Sequence, residues 1–276
     1  TDDGASNING YCGGEDGNWS GPEYVMSLTP ESEGAVVFTL DNTGDQRLGA
    51  FALTEFAEAG TCNHDRCVGS TSCETGAGQL AFYAEEKETY YIAVDGLYGD
   101  HGPFDYTVDC RQESCAPVEA LQCGESIDSD NTDGATNSIS AYRHVNRHML
   151  GNDRTYSFSV DYDADVTLVL SAKETGEEFP DFSLLLLGDD GNGNCLPGNT
   201  YSYSDFAQGG TDNPPEVINF AAPANSTYYV VVDAAAAETL GSFSLRAACA
   251  RDCPPGQTDC DGVCVDLNTD SENCGA

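Results

Sequence analysis

Hydrophobic and polar residues alternate in short bursts along this chain, and one burst occurs twice. Thr89-Tyr90-Tyr91-Ile92-Ala93-Val94-Asp95 returns as Thr227-Tyr228-Tyr229-Val230-Val231-Val232-Asp233. Aromatic and β-branched residues suit a pleated, half-buried surface, so each copy predicts a core strand in its own domain. The repeat extends further. Asn7–Tyr11 answers Asn137–Tyr142, Tyr24–Leu28 answers Tyr156–Val160, and Val36–Leu40 answers Val166–Leu170. Gln79–Phe82 answers Val217–Phe220, and Gly102–Cys110 answers Gly241–Cys249. The spacing between copies drifts, as it does when insertions sit in loops while strands keep step.

Phe104, Tyr106, Val108 and Phe243, Leu245, Ala247 alternate with polar residues and predict one inward face. Helical periodicity is nearly absent. Phe51–Ala59 reads as strand or helix, and Ala234–Glu238 as a loop with one helical turn. The pattern predicts an all-β protein: two tandem antiparallel jelly-roll-like β-sandwiches of roughly six to eight strands each. Expected bounds are 1–110 and 132–249, with a linker over 111–131 and a Cys-rich tail over 250–276.

The chain has 13 cysteines, which predicts an oxidising compartment and a secreted protein. Disulfides are expected among Cys12, Cys62, Cys67, Cys73, Cys110, Cys115, Cys123, Cys195, Cys249, Cys253, Cys260 and Cys264. Connectivity cannot be read from spacing; Cys12 with Cys110, joining first and last strands, is one conjecture. The runs Cys110–Cys115–Cys123 and Cys249–Cys253–Cys260 look alike and predict stapled linkers. The formal charge is −37, which excludes phosphate-backbone binding by any basic patch and predicts no nucleic-acid partner. No apolar run reaches the roughly 18 residues of a membrane helix, so no membrane insertion is expected. The opening Thr1-Asp2-Asp3-Gly4 reads as a mature or excised form.

The run Gly21–Glu31, the Thr-Tyr-Tyr-Ile/Val-x-Val-Asp strand and the final Gly-x-Phe-x-Tyr/Leu strand resemble the bacterial pre-peptidase C-terminal (PPC) domain, over residues 1–110 and 124–249. The resemblance implies a jelly-roll-like sandwich, secretion and a non-catalytic role, with calcium or substrate binding in some members. In the family's Asp-x-Asp-Leu position the first copy has Gln46-Arg47-Leu48-Gly49 and the second Pro180-Asp181-Phe182-Ser183-Leu184. The tail, with Asp261–Leu267 and Asn273-Cys274-Gly275, is similar to Cys-rich surface modules of myxobacteria, which implies a longer parent chain.

No Gly-x-Ser-x-Gly or phosphate loop occurs, so no enzyme is expected. His144 and His148 have zinc-clamp spacing, but Val145 stands where a zincin needs Glu. A basic surface patch with Arg143 and Arg147 is the favoured reading. Cys62–Cys67 with His64 has zinc-ligand residue types, and disulfides are favoured there. Calcium wants converging oxygens. Asp128, Asp130 and Asp133 form one candidate site, and Asp189, Asp190 and Asn192 another. Solvated acidic loops are the competing reading. Trp19, the single tryptophan, is either a glycan-stacking platform or a lid over the core. The leading expectation is a non-catalytic structural or adhesive cell-surface module that joins copies of itself or a neighbouring surface protein, with filaments as one outcome. The alternatives are an accessory region of a secreted hydrolase and a glycan-binding module.

Overall fold

The computed structural model describes residues 11, 18–55, 62–73, 76–132, 134–173, 180–204, 214–251, 253, 255–260 and 263–266. They contain strands and no helix. The first seven are β1 (Tyr24–Leu28), β2 (Gly34–Asn42), β3 (Leu48–Glu55), β4 (Cys62–Cys73), β5 (Gly76–Ala84), β6 (Tyr90–Gly96) and β7 (Phe104–Arg111). Then come β8 (Glu119–Leu121), β9 (Ser126–Asn131), β10 (Arg154–Val160), β11 (Ala164–Ala172), β12 (Ser183–Asp189) and β13 (Cys195–Ser204). The last are β14 (Glu216–Ala222), β15 (Ser226–Asp233), β16 (Ser242–Arg251), β17 (Thr258–Cys260) and β18 (Val263–Val265).

The chain forms two compact units, Thr1–Ser114 with Ser138–Leu150, and Cys115–Asn137 with Gly151–Ala276. In unit 1 the sheets run β1-β6-β3-β4 and β5-β2-β7. In unit 2 they run β13-β12-β15-β10-β8 and β14-β11-β16-β9. Both units are all-β sandwiches, as the sequence pattern predicts. The repeated Tyr-Tyr strands, β6 and β15, lie inside their sheets rather than at an edge. In unit 1 the alternate residues Val36, Phe38, Leu40, Ala50, Ala52, Leu80, Phe82, Ile92 and Val94 meet between the sheets. Leu168, Leu170, Leu184, Leu186, Val230, Val232 and Phe243 do the same in unit 2. Burial of these faces drives the fold.

Phe51–Glu55, ambiguous in sequence, is strand: Phe51 pairs with Ala93, and the side chain joins a cluster with Tyr11 and Trp19. Residues 56–59 lie outside the described ones. Ala234–Glu238 is a loop closed by a turn, with the Thr239 N–H donating to the Ala236 carbonyl at 3.0 Å.

One sequence match is corrected by the register. Leu28 pairs with Tyr90 and Phe158 with Tyr228, so Leu28 corresponds to Phe158 and Tyr24 to Arg154. The sequence pattern had placed Tyr24 against Tyr156. A slip of two residues keeps every side chain on its face, so alternation alone cannot detect it.

The segment 111–131 is more than a linker. β8 adds to β10 in parallel, with Leu121 opposite Phe158. β9 adds antiparallel to β16, with Ile127 opposite Leu245. The segment thus crosses from one sheet to the other and closes the side of unit 2. Leu121 is buried in the core, with Cys123 and Ile127 packed against it.

Ser138–Leu150 packs on unit 1. Ala141 is buried against Ala35, Val37 and Ala81 on the outer face of β2 and β5. The Ser140 N–H donates to the Glu113 carboxylate at 2.6 Å. Arg143 pairs with Glu85 at 2.9 Å.

Candidate functional site

The closing segment of unit 2 turns sharply at residues 122–125. Gly124 has φ 79°, a left-handed conformation that favours glycine. The Gln122 N–H donates to a Glu125 carboxylate oxygen at 2.8 Å. Backbone bonds Gly124 N–H to Ala247 carbonyl (2.9 Å) and Ala247 N–H to Glu125 carbonyl (3.1 Å) tie the turn to β16. Two disulfides lock the segment, Cys115–Cys195 and Cys123–Cys249. A third, Cys253–Cys264, holds the tail. The cysteine runs read in sequence as stapled linkers between neighbouring units; Cys115, Cys123, Cys249, Cys253 and Cys264 instead form bonds within unit 2.

Beside the Cys123 corner lies a groove of about 510 Å³, lined among others by Gln122, Ser159, Asp161, Tyr162, Ser226 and Thr227. Ser159 and Thr227 hydroxyls lie 3.1 Å apart. The Arg251 guanidinium stacks over the Tyr162 ring at 4.5 Å. Hydroxyls, an amide and an aromatic ring are groups that recognise a polar ligand. No short motif announces this groove, because its residues come from three separate stretches of chain: the turn at Gln122–Cys123, the end of β10 with the residues after it, and the start of β15.

The cysteines of unit 1 behave differently. Cys110 is exposed and carries a free thiol, which corrects its place among the expected disulfides. Its register explains this: Cys110 sits opposite Val36 on β7, and no described cysteine lies across from it. Cys12 lies outside the described residues. Cys67 is disulfide-bonded; the Cys62, Cys73 and Cys260 side chains also lie outside the description.

Trp19 is buried, with 7% of its surface exposed. Its ring stands edge-on to Phe51 at 5.0 Å, with Tyr11 stacked on the other partner face of Phe51 at 4.1 Å. Gly49 makes room for it: a Cβ there would lie 2.6 Å from the indole Cη2. The indole is thus placed as a lid over the outer face of β3, with no open ring face for stacking a sugar.

The Asp189–Asn194 turn satisfies its own carboxylates. Asp190 accepts from the Asn192 N–H (2.8 Å), the Asn194 N–H (3.1 Å) and the Asn194 side-chain amide (2.8 Å). These bonds hold its carboxyl well below the usual carboxylate range. Asp189 accepts from the Gly193 N–H at 2.8 Å. On β9, Asp128 accepts from the Ser126 hydroxyl at 3.1 Å, Asp130 pairs with Phe243, and Asp133 lies outside the described residues. Among the described residues no three His, Cys, Asp or Glu groups converge on a metal-sized point. His144 and His148 sit in irregular chain, so the helical clamp does not form; His144 has φ 66°. Burial, then the neighbouring Arg147, pushes the His148 pKa down.

Sequence reasoning passed over one group, the Asp that ends each repeated strand. Asp95 and Asp233 are both fully buried. Asp95 accepts from the Gly96 N–H at 2.6 Å and the Tyr11 hydroxyl at 3.2 Å. Burial pushes its carboxyl up to about 6, against an ordinary 3.8; the Gly96 N–H opposes the rise and Glu23 adds to it. The folded state therefore prefers Asp95 protonated. The resulting cost is absent below pH 4, grows between 4 and 6, and is complete above 6. A rise of this size corresponds to about 3 kcal/mol. Unit 1 should resist urea better at pH 4 than at pH 7 through this group, and Asp95→Asn should remove that part of the difference. Trp19 emission, which reports unit 1 alone, reads it; an unchanged pH difference in Asp95→Asn would refute the assignment. Glu113, also raised by burial, keeps a smaller dependence of the same sign.

No protein-family model matches the chain, and no curated protein sequence matches it. Solved structures similar to it include the pre-peptidase C-terminal domain of a Bacillus anthracis collagenase, at 12% identity and TM-score 0.30, covering 48% of this chain and 97% of that one. The tandem CBM51 modules of Sp3GH98, a family 98 glycoside hydrolase from Streptococcus pneumoniae, match at 10% identity and TM-score 0.26, over 82% of this chain and 79% of that one. The CBM22 tandem of Paenibacillus barcinonensis Xyn10C matches at 10% identity and TM-score 0.23, over 87% and 85%.

Proposed function

We propose that this chain is a non-catalytic, secreted structural module of a cell-surface assembly, made of two PPC-like sandwiches of which the second carries load without unfolding. One observation supports this reading above the others. Cys123, at the start of unit 2, is bonded to Cys249 on the last sandwich strand, 126 positions further on. Tension applied ahead of Cys123 and beyond Cys249 passes through that bond, and the core between them is not pulled. The charge of −37 suits a surface that stays hydrated and does not collapse onto its neighbours.

Single-molecule extension tests it. With the disulfide intact, unit 2 should give no lengthening step. In Cys249→Ser, a step of roughly 19 nm should appear, because the remaining Cys115–Cys195 bond leaves only the roughly 54 residues from position 195 up to position 249 to extend, at about 3.6 Å each. A step of that length in the oxidised parent chain would sink the load-bearing reading.

The groove beside Cys123 favours a second reading, a glycan-binding accessory module. Its hydroxyl and amide lining with Tyr162 suits a sugar face and edge. A glycan array with parent chain and Tyr162→Ala separates the two: signal lost in the variant supports this reading, and silence in both opposes it.

A further inference from the structure

The two units are built on one plan, and one side of unit 1 lacks what closes the same side of unit 2. Register gives the correspondence. Cys110, Val108, Tyr106 and Phe104 stand opposite Val36, Phe38, Leu40 and Asn42. Cys249, Ala247, Leu245 and Phe243 stand opposite Val166, Leu168, Leu170 and Ala172. In unit 2 this strip is covered: Phe243, Leu245 and Ala247 are fully buried, and Cys249 is bonded to Cys123. In unit 1, Tyr106 is 43% exposed and Val108 37%, and Cys110 is an exposed free thiol. β7 and β1 are edge strands among the described residues, whereas β16 pairs with β9 and β10 with β8. Tyr24 on β1 is 43% exposed and Val25 44%.

An unpaired edge beside an apolar strip is a site for strand addition. We propose that the open side of unit 1, between β1 and β7, receives a cysteine-bearing strand segment of the Cys115–Asn131 type, bonded to Cys110. The segment belongs to the polypeptide leading into unit 1. Two observations identify it. First, the closing parts in unit 2 are Leu121, Cys123 and Ile127, an apolar–x–Cys–x3–apolar pattern. The tail does not have this pattern: Thr258 and Cys264 flank Cys260 at those positions, and Cys264 is bonded to Cys253. Second, Asp3-Gly4-Ala5-Ser6-Asn7 repeats Asp133-Gly134-Ala135-Thr136-Asn137. In unit 2 the closing segment runs directly into this motif, so its counterpart belongs directly ahead of Asp3.

The test uses the chain extended by a copy of Cys115–Asp130, with Cys115→Ser, placed ahead of Thr1. Oxidised glutathione supplies the oxidant. The two thiols lose their protons, the sulfur–sulfur bond forms by exchange, and two reduced glutathione molecules leave. Iodoacetamide labelling of Cys110 should be lost, and a peptide map should show Cys110 bonded to the added cysteine. The Trp19-reported melting of unit 1 should rise. Replacing the added copies of Leu121 and Ile127 by Asp should restore labelling. Three results would each overturn the proposal: equal labelling of Cys110 in extended and parent chains, equal bonding by the Asp-bearing segment, or a Cys12–Cys110 bond in the parent chain.

Discussion

Replacing Cys123 and Cys249 together by serine should lower the stability of unit 2 by about 2–4 kcal/mol, with the melting temperature falling by roughly 5–15 °C. The bond closes a loop of 126 positions. Cross-linking residues so far apart removes entropy from the unfolded chain; with Cys115–Cys195 also in place the loop shortens to roughly 60 residues, and the chain-entropy ceiling is about 4 kcal/mol. The folded state should change little, because β9 stays held to β16 by its backbone ladder and Leu121 stays in the core. The loss therefore acts mainly through the unfolded state, and far-ultraviolet circular dichroism at low temperature should be unaltered. Calorimetry should show one transition moving down while the transition followed by Trp19 emission stays in place. A double variant that melts with the parent would mean the bond does not form in solution.

Gly96→Ala should cost unit 1 more than about 4 kcal/mol and leave it unfolded or nearly so at room temperature. The chain folds back over Gly96 after Tyr98 (φ 55°) and Gly99 (φ 84°). The Asp100 carbonyl oxygen is thereby set against the backbone of both Gly96 and Gly21, where a Cβ finds no space. That loop cannot shift freely. The Arg47 backbone N–H and its guanidinium both bond Asp100 at 3.0 Å, and the Gly21 N–H donates to the Gly96 carbonyl at 3.0 Å. Buried Asp95 sits next door and depends on the Gly96 N–H. Gly99→Ala is the matching control. Nothing lies within 4 Å of a Cβ there, so only the left-handed φ opposes it, at about 1 kcal/mol. Urea midpoints from Trp19 emission should separate the two variants clearly; equal midpoints would show that the corner yields.

How much was legible depended on the range over which each feature is decided. The Tyr-Tyr strands were readable because residues that pack on both faces of a strand must be apolar almost throughout. The alternation in Gly241–Cys249 was readable because one face of β16 is buried. The same alternation in Gly102–Cys110 was equally readable, yet Tyr106 and Val108 remain exposed. Pattern reports which way a side chain points, and whether anything covers that side depends on a distant segment. The groove at Tyr162 and the raised Asp95 were invisible for the same reason, and the choice between lid and platform for Trp19 stayed open, since each needs residues far apart in sequence to meet.

The sequence by itself determined the class of the molecule: two all-β sandwiches in tandem, rich in cysteine and strongly acidic, without a membrane-length apolar run. Those features follow from composition and a period of two, which act locally. The tertiary structure decided which edges are closed and which cysteines meet. It placed Ser138–Leu150 on unit 1, and it made a segment read as linker into two strands of unit 2. These outcomes turn on register and long-range contact, and a shift of two residues or a change of partner strand leaves the local pattern untouched.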